Sequence, residues 1–312
     1  MIEMLKFMPI KCCRYAGFAF LGLLIMPVMQ SCFTGIESTP EITYKEVRKQ
    51  NAVTSREQEI AESFTPEKYA GWKPGKRFFV TDRKVEWAFR GAAGIQRGDT
   101  LEILGFSEGT DITGAPTREI VMRNLRMPSD TIVCVAPEVG KTEYYRIPFL
   151  IEESVIDTMR RALVGNTYYL KSALWYSDDG NTVRGRKFIP VKITGVMPFS
   201  DDYAAMVSIV DESNGATSGV LMSQNVGSPT RSFDTLFSIT DPRRNYPETT
   251  DANWEAIRNS RVNDGMTRRE VTAALGVPAS IDRGVNQSAA YERWTYSDGI
   301  SLLFVDGILT KR

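Results

Sequence analysis

The sequence predicts a mainly β protein with an α+β end: two duplicated small β-barrel or sandwich units, followed by a C-terminal domain of two helices and three strands. Three observations lead to this prediction: short strand-like runs between turn residues, a repeat at a fixed offset, and a helix-start signature near the C-terminus. Of the 312 residues, 42% are hydrophobic and 24% are charged, as in ordinary globular domains. This length provides for two or three small domains.

The main sign of duplication is a glycine that is followed, three residues later, by an aromatic pair. Segment 75–80 aligns with segment 165–170, which lies 90 residues further along the chain. The same offset, without a gap, aligns segment 101–105 with segment 191–195. Because one offset holds across two strand-like segments and their glycines, we interpret them as copies of one small β unit.

Each unit contains a series of short strand candidates, separated by turns rich in Gly, Pro and Asp. For the first unit, residues 66–150, the predicted strands are 76–81, 100–105, 119–123, 131–136 and 144–150. For the second unit, residues 151–223, they are 167–174, 188–196, 204–210 and 219–223. An amphipathic helix over 152–163 leads into the second unit. The layout resembles paired small barrels of the Src-homology type in bacterial envelope proteins.

The N-terminal segment has the pattern of a secretory signal that ends at a lipid-accepting cysteine. Three basic residues, Lys6, Lys11 and Arg14, precede an apolar run, and a small residue stands directly before Cys32. This pattern resembles bacterial lipoprotein signals. We therefore predict a signal peptide over 1–31 and binding to membrane lipid through acyl chains on Cys32. An uncleaved membrane anchor is the alternative.

Residues 32–65 follow as a polar, charged segment with one short helix candidate. Ser55 and Gln58 have the spacing of a capping box, and Ile60 and Phe64 form an apolar pair one helical turn apart. We interpret this segment as a lipid-anchored tether that holds the body away from the membrane. The expected location is the periplasmic face of the outer membrane.

The C-terminal segment 251–312, which follows a Pro-punctuated linker over 224–250, has the most consistent local signals. A first helix begins near Asp251, and Thr267 with Glu270 forms a capping box at the start of a second helix. A glycine and a nearby proline then end that helix. After it the sequence predicts a loop and three strands, at 281–288, 291–296, 300–305 and 308–310.

These C-terminal residues resemble the SmpA/OmlA family of small outer-membrane lipoprotein domains, also called BamE-like. The matching positions are Gly265-Met266-Thr267, Glu270-Val271, Leu275-Gly276, Pro278, Glu292, Trp294, Tyr296, Phe304 and Asp306-Gly307. The resemblance implies a two-helix, three-strand domain that serves as a non-catalytic accessory of outer-membrane protein assembly. In that family the domain lies beside the lipid anchor, whereas here it ends a larger body. The body and the lipidation motif together resemble lipoproteins of bacteroidete-type bacteria.

Histidine is absent from all 312 positions, and this excludes several classes of function. Ser-His-Asp and Cys-His nucleophile systems, imidazole general bases and histidine metal sites all require it. The carboxylate pairs at 152–153, 178–179 and 201–202 are adjacent in sequence, so on a strand their members point to opposite faces. We therefore expect a non-enzyme, with no cofactor and no metal site.

The charge balance and the cysteines give two further expectations, one about nucleic-acid binding and one about disulfide bonds. Lys plus Arg and Asp plus Glu each number 38, so the sequence has no excess of positive charge for binding nucleic acid. Cys12 and Cys13 would leave with the signal peptide, and Cys134 then has no partner for an internal disulfide. It lies in an apolar β-type run, which predicts a small buried core residue.

Six aromatic residues are candidates for a partner- or ligand-binding surface, because such side chains line shallow grooves for glycans and peptides. They are Trp72, Trp87, Trp175, Tyr176, Trp294 and Tyr296. The alternative is that these side chains fill the cores of the β units and of the C-terminal domain.

Four Asp-Thr pairs precede apolar residues, a pattern that resembles the O-glycosylation acceptors of bacteroidete-type envelopes. The sugar would be attached to Thr100, Thr131, Thr158 or Thr235. The alternative is that Asp-Thr simply begins a strand or a helix at each position.

Two functions fit these observations. The first is a membrane-anchored, periplasm-facing lipoprotein that acts as a non-catalytic binding or scaffold component of the cell envelope, with envelope proteins as partners. Such a protein would serve as an accessory of outer-membrane assembly. The second is a lipoprotein that binds a cell-wall glycan or peptide, such as peptidoglycan, with its paired β units.

Overall fold

The structure, a computed structural model, describes residues 53–110, 113–128, 131–177, 180–227, 229–286 and 289–311. In this part of the chain sixteen strands form three antiparallel sheets, and six α-helices and two 3-10 helices accompany them. The prediction of a mainly β fold with α+β character is therefore confirmed. The predicted signal peptide, Cys32 and the tether as far as residue 52 lie outside the described residues.

The α-helices are short and lie between the strands or before them. Their bounds are α1 Ser55–Ser63, α2 Val85–Ala88, α3 Glu153–Leu163, α4 Phe233–Leu236, α5 Asp251–Arg258 and α6 Arg268–Leu275. The 3-10 helices are Tyr69–Gly71 and Pro242–Asn245. The predicted apolar face of α3 is confirmed, because Val155, Met159 and Leu163 are buried.

The first sheet contains β1 Arg77–Val80, β2 Thr100–Thr110, β3 Pro116–Asn124, β4 Thr131–Ala136 and β5 Leu150–Glu152. Strands β1 to β4 lie side by side in sequence order, and β5 returns to pair with the free side of β1. The predicted strand over 144–150 is thus displaced, because the strand begins only at Leu150.

The second sheet contains β6 Thr167–Leu170, β7 Leu174–Tyr176, β8 Thr182–Arg184, β9 Ile189–Pro198, β10 Ala205–Asp211, β11 Thr217–Met222 and β12 Phe237–Ser238. Five of these strands repeat the order of the first sheet. Strands β6, β9, β10 and β11 are neighbours in that order, and β12 pairs with the free side of β6. The hairpin of β7 and β8 extends the sheet beyond β11.

The first and second sheets each contain an equivalent backbone hydrogen bond, at positions 90 residues apart, which is the offset found in the sequence. The amide of Gly75 donates to the carbonyl oxygen of Ile103 at 2.8 Å, and the amide of Gly165 donates to that of Ile193 at 2.8 Å. In both ladders the strand register shifts directly after this isoleucine. The sequence similarity therefore coincides with equal pairing geometry.

Both sheets also use the segment between their first two strands in the same way. In the first sheet Arg90 forms an isolated bridge with Val133 on β4. In the second sheet Tyr176 on β7 pairs with Gly219 on β11. In each case the connecting segment returns to the fourth strand of the meander and covers its outer edge.

Three hydrophobic clusters correspond to the three sheets, and all described residues belong to one compact unit. The first two clusters meet at β5, where neighbouring residues point in opposite directions. Leu150 belongs to the cluster of the first sheet, and Ile151 belongs to the cluster of the second. The cores of the first and second sheets therefore share strand β5.

The C-terminal end of the predicted tether is folded onto the second sheet. Thr54, not Ser55, caps α1, and it forms the capping box with Glu57. The Glu57 carboxylate is buried and accepts hydrogen bonds from Ser238 Oγ at 2.9 Å and from the amide of Ile239 at 2.7 Å. The sequence did not predict this docking, because a glutamate in a polar segment gives no sign of whether its side chain is buried or exposed to solvent.

The predicted linker over 224–250 contributes to the second sheet as well. Phe233, Leu236 and Phe237 are buried in its core, as α4 and the following strand β12. Residues 237–238 complete the five-strand arrangement. The second sheet and its core therefore extend beyond residue 223.

The third sheet is an antiparallel meander of β13 Ser280–Asn286, β14 Ala289–Thr295, β15 Ser301–Val305 and β16 Ile308–Lys311. It has four strands because most of the predicted loop at 281–288 is strand β13. The predicted capping box of Thr267 and Glu270 is present at the start of α6. The predicted helix near Asp251 is α5, which begins at that residue and is capped by Thr250.

The helices of the C-terminal segment pack against the second sheet through the residues that precede β9. The rings of Phe188 and Trp254 stack with centroids 5.5 Å apart. Lys187 Nζ donates a hydrogen bond of 2.6 Å to the carbonyl oxygen of Ala274 in the last turn of α6. Burial lowers the pKa of Lys187 to about 8. Residues 187–188 thus attach the C-terminal helices to the body.

Candidate functional site

Three features of the described residues bear on metal binding, thiol reactivity and membrane insertion. They contain no group of three or more side chains placed to hold a metal ion. Cys134 is buried, as predicted, and burial raises the pKa of its thiol to about 12, so it stays protonated and unreactive. Among the described helices, none has both the length and the apolar character needed to cross a membrane.

The carboxylate pairs have structural contacts. Glu152 is buried and lies 2.7 Å from the Lys76 ammonium, whereas its neighbour Glu153 begins α3. Burial raises the pKa of Glu152, and the Lys76 charge opposes that shift. Asp201 accepts hydrogen bonds from the backbone amide of Phe149. The pair at 178–179 lies outside the described residues.

Five of the six aromatic candidates are core residues and cannot form a binding surface. Burial leaves at most 9% of each side chain accessible for Trp72, Trp175, Tyr176, Trp294 and Tyr296. Trp72, Trp175, Trp294 and Tyr296 belong to the three hydrophobic clusters, as the core interpretation of the sequence expects. These five assignments to a partner surface are therefore wrong.

Trp87 is the exception, because 86% of the residue is exposed. It lies on α2, in the segment that connects β1 with β2. A short loop beside it is fixed by the Glu86 carboxylate, which accepts a hydrogen bond from the Gly94 amide at 3.1 Å. Trp87 is thus an exposed aromatic ring on an ordered loop.

The Asp-Thr sites differ in accessibility. Thr158 and Thr235 donate their hydroxyl protons to backbone carbonyls of the preceding turn, at 2.8 and 2.9 Å. Thr100 is half-buried, and Thr131, at the start of β4, is exposed. Glycosylation stays a prediction at all four positions, and Thr131 is the most accessible acceptor among them.

An open groove of about 660 Å³ lies where the first and second sheets meet, and we call it the intersheet groove. Its lining comes from β1, the turn before β2, α3, β9, β10 and the loop between β7 and β8. The described lining residues are Phe79, Val80, Arg97, Gly98, Arg160, Gly180, Met197, Pro198, Phe199 and Met206. Its volume is within the range of small-molecule sites.

Two methionines and two phenylalanines make the groove apolar. Met197 on β9 and Met206 on β10 are directly paired across the strands. Met206 packs over Gly219, where a Cβ atom would lie 2.4 Å from Met206 Sδ. More than half of Met197 is exposed, so this apolar surface is accessible from solvent.

Two guanidinium groups lie over the aromatic rings of the groove. The Arg97 guanidinium is 5.6 Å from the centroid of Phe199, and the Arg160 guanidinium is 5.6 Å from that of Phe79. Arg160 is held by a 3.0 Å hydrogen bond to the carbonyl oxygen of Val196. The described lining contains both positive charges and no carboxylate.

Asp99 fixes the turn that carries Arg97 and Gly98. Its buried carboxylate accepts hydrogen bonds from the Arg126 guanidinium at 2.7 Å and from the Gln96 amide at 2.9 Å. The Arg126 guanidinium, with these hydrogen bonds, lowers the pKa of Asp99 to about 2. The arginine side of the groove is therefore positioned by an ion pair whose carboxylate is buried.

Sequence reasoning missed this groove, because its residues come from segments far apart in the chain and no single motif contains them. The adjacent pair Phe78-Phe79 was one available signal, since on a strand only one of two neighbouring rings can enter a given core. Met197, in an otherwise well-patterned strand, was another.

Comparison of the sequence with protein-family models and with curated proteins finds no match.

Replacement of Asp99 should destabilise the protein in a pH-dependent way. The folded-state pKa of Asp99 lies below its ordinary value, so its stabilisation is complete above about pH 5 and disappears as the pH falls through about 2. We expect Asp99→Asn to lower the free energy of unfolding by about 2 kcal/mol at pH 7 and by less at pH 3. Urea unfolding at both pH values measures the difference. A loss of equal size at both would contradict the proposed charge effect.

Proposed function

We propose that this chain is a lipid-anchored lipoprotein on the periplasmic face of the outer membrane. In this proposal it acts as a non-catalytic binding and scaffold component of the envelope, and it assists outer-membrane assembly. The C-terminal domain is, in the same proposal, a SmpA/OmlA-like module that docks a partner protein. The observation that carries the proposal is an apolar row on the outer face of the third sheet.

That outer face has an apolar row that crosses the sheet. Tyr291 on β14 pairs with Val305 on β15, and Val305 pairs with Ile308 on β16. The neighbouring residues Glu292 and Trp294 are buried, so alternation along the strand directs Tyr291 to the opposite side. Tyr291 and Ile308 are 36% and 40% exposed. Exposed aromatic and aliphatic side chains on a fixed sheet are typical of protein-binding surfaces.

The residues of the SmpA/OmlA resemblance have structural contacts that support the module interpretation. Glu292 is buried, lies 2.9 Å from Arg268 on α6, and accepts a hydrogen bond from Trp294 Nε1 at 2.9 Å. Tyr296 donates to the carbonyl oxygen of Gly276 at 3.2 Å. These contacts join the strands to α6, so the motif residues stabilise the domain and leave its outer face for recognition.

The equal pairing of the first two sheets supports their proposed origin by duplication. Duplication of one unit accounts at once for the equal strand order, the equal hydrogen bonds at Gly75 and Gly165, and the register shift at the same place. In the proposed function these two units form the body that holds the C-terminal module.

Substitution of Tyr291 on the full chain tests the proposed function directly. We expect Tyr291→Lys to abolish crosslinking and affinity capture of outer-membrane assembly components from native membranes, because a charge in the apolar row opposes docking. Val285→Lys is the matched control: Val285 is 62% exposed on the same sheet, but strand alternation places it on the helix side. Equal capture by both variants, or capture of no assembly component by the native chain, would contradict the proposal.

The exposed Trp87 favours a second candidate function, in which the paired β units bind a cell-wall glycan or peptide. An exposed indole on a fixed loop provides a flat surface on which a sugar ring can stack. This candidate needs no catalytic group, and the ligand would bind to the first unit.

Sedimentation with purified peptidoglycan tests this candidate. We expect the native chain to sediment with it at low salt and Trp87→Ala to remain in the supernatant. Because Trp87 is 86% exposed, its replacement should change the free energy of unfolding by less than about 0.5 kcal/mol. Equal sedimentation of both proteins, or of neither, would contradict a role for this ring in cell-wall binding.

A further inference from the structure

We propose that the intersheet groove binds a small apolar carboxylate, of the chemical class of a medium-chain fatty acid. This site lies between the first two sheets and is separate from the outer face of the third sheet. Fatty-acid binding at this site can therefore be tested independently of the proposed docking function.

The floor of the groove fits an alkyl chain. Phe79, Met197, Phe199 and Met206 supply aromatic and thioether surface, and methionine side chains adapt to ligands of varied shape because they are unbranched and polarisable. Few polar side chains line this floor, so a glycan, whose many hydroxyl groups need hydrogen-bond partners, would be poorly accommodated.

The charges of the groove select an anion. Arg160 Nη1 lies 2.9 Å from Asp157, so that charge is partly compensated. For Arg97, no carboxylate lies within ion-pair distance in the part of the chain that the structure describes. A guanidinium presents planar, paired donors that match the two oxygens of a carboxylate. Arg97 is therefore the expected partner of the ligand headgroup, and Arg160 adds positive charge.

The groove is also formed before a ligand arrives. Asp99 fixes the turn that carries Arg97, and a backbone carbonyl holds Arg160. Met206 fits over Gly219, as described above. Because these side chains are already ordered, binding costs less conformational entropy than it would on a mobile surface. An apolar floor, a guanidinium that has no ion-pair partner among the described residues and a preformed shape together favour an apolar molecule with one acid group.

Calorimetric titration of the purified full chain with dodecanoate tests the proposal, with dodecanol and dodecyltrimethylammonium as probes that keep the alkyl chain and change the headgroup. We expect dodecanoate to bind about tenfold more tightly than dodecanol, because a charge-assisted pair forms only with the carboxylate. The cationic probe should bind most weakly. Equal affinity for all three probes, or tighter binding of the cation, would overturn the proposal.

Two pairs of variants locate the site. Met197→Glu places a carboxylate beside the arginines and should abolish dodecanoate binding, whereas the uncharged control Met197→Gln should retain most of it. Arg97→Gln should weaken binding about tenfold. Arg83→Gln is its matched control, because Arg83 is a highly exposed arginine that does not line the groove. Dodecanoate binding that none of these variants alters would show that the fatty acid binds elsewhere, and it would overturn the proposal.

Discussion

The alternation of side chains along β1 and β5 is the constraint on which the rest of the structure depends. Phe78 and Val80 on β1 enter the core of the first sheet, and Phe79 between them packs against the core of the second. On β5, Leu150 likewise enters the core of the first sheet and Ile151 enters the core of the second. A one-residue slip in the pairing of these strands would exchange the two faces and bury the wrong side chains on both sides. The register of one short strand pair is therefore fixed by two cores.

This shared pair also explains where the groove lies. Phe79 is only half-buried because it emerges at the margin between the two cores, next to Arg160 on α3. Glu152 ends β5 and meets Lys76 in a buried ion pair, so the helix that supplies Arg160 starts from a fixed point. The C-terminal helices are attached at a separate place, through Phe188 and Lys187. The body thus presents the groove and the third sheet on surfaces that different contacts support.

Local features were predictable from the sequence, and long-range ones were not. The capping box at Thr267, the buried face of α3 and the 90-residue repeat depend on neighbouring residues or on self-similarity, which the sequence displays. The docking of α1 through Glu57 and the return of β12 to β6 depend on partners more than 60 residues away, and no local pattern specifies them. The intersheet groove could not be predicted for the same reason. The sequence also did not distinguish Trp87, which is exposed on the segment between β1 and β2, from the five buried aromatic candidates.

Hydrogen exchange on a Leu150→Ala variant tests most directly whether the two β units form one body through β5. Removal of this side chain from the first core should cost about 2 to 5 kcal/mol. If the cores share β5, amide protection falls in the strands of both sheets, in β6 and β9 as well as in β1 and β2. Val135→Ala, at an exposed position of β4, should leave protection unchanged. Loss of protection confined to the first sheet would show two independent units and would contradict the account.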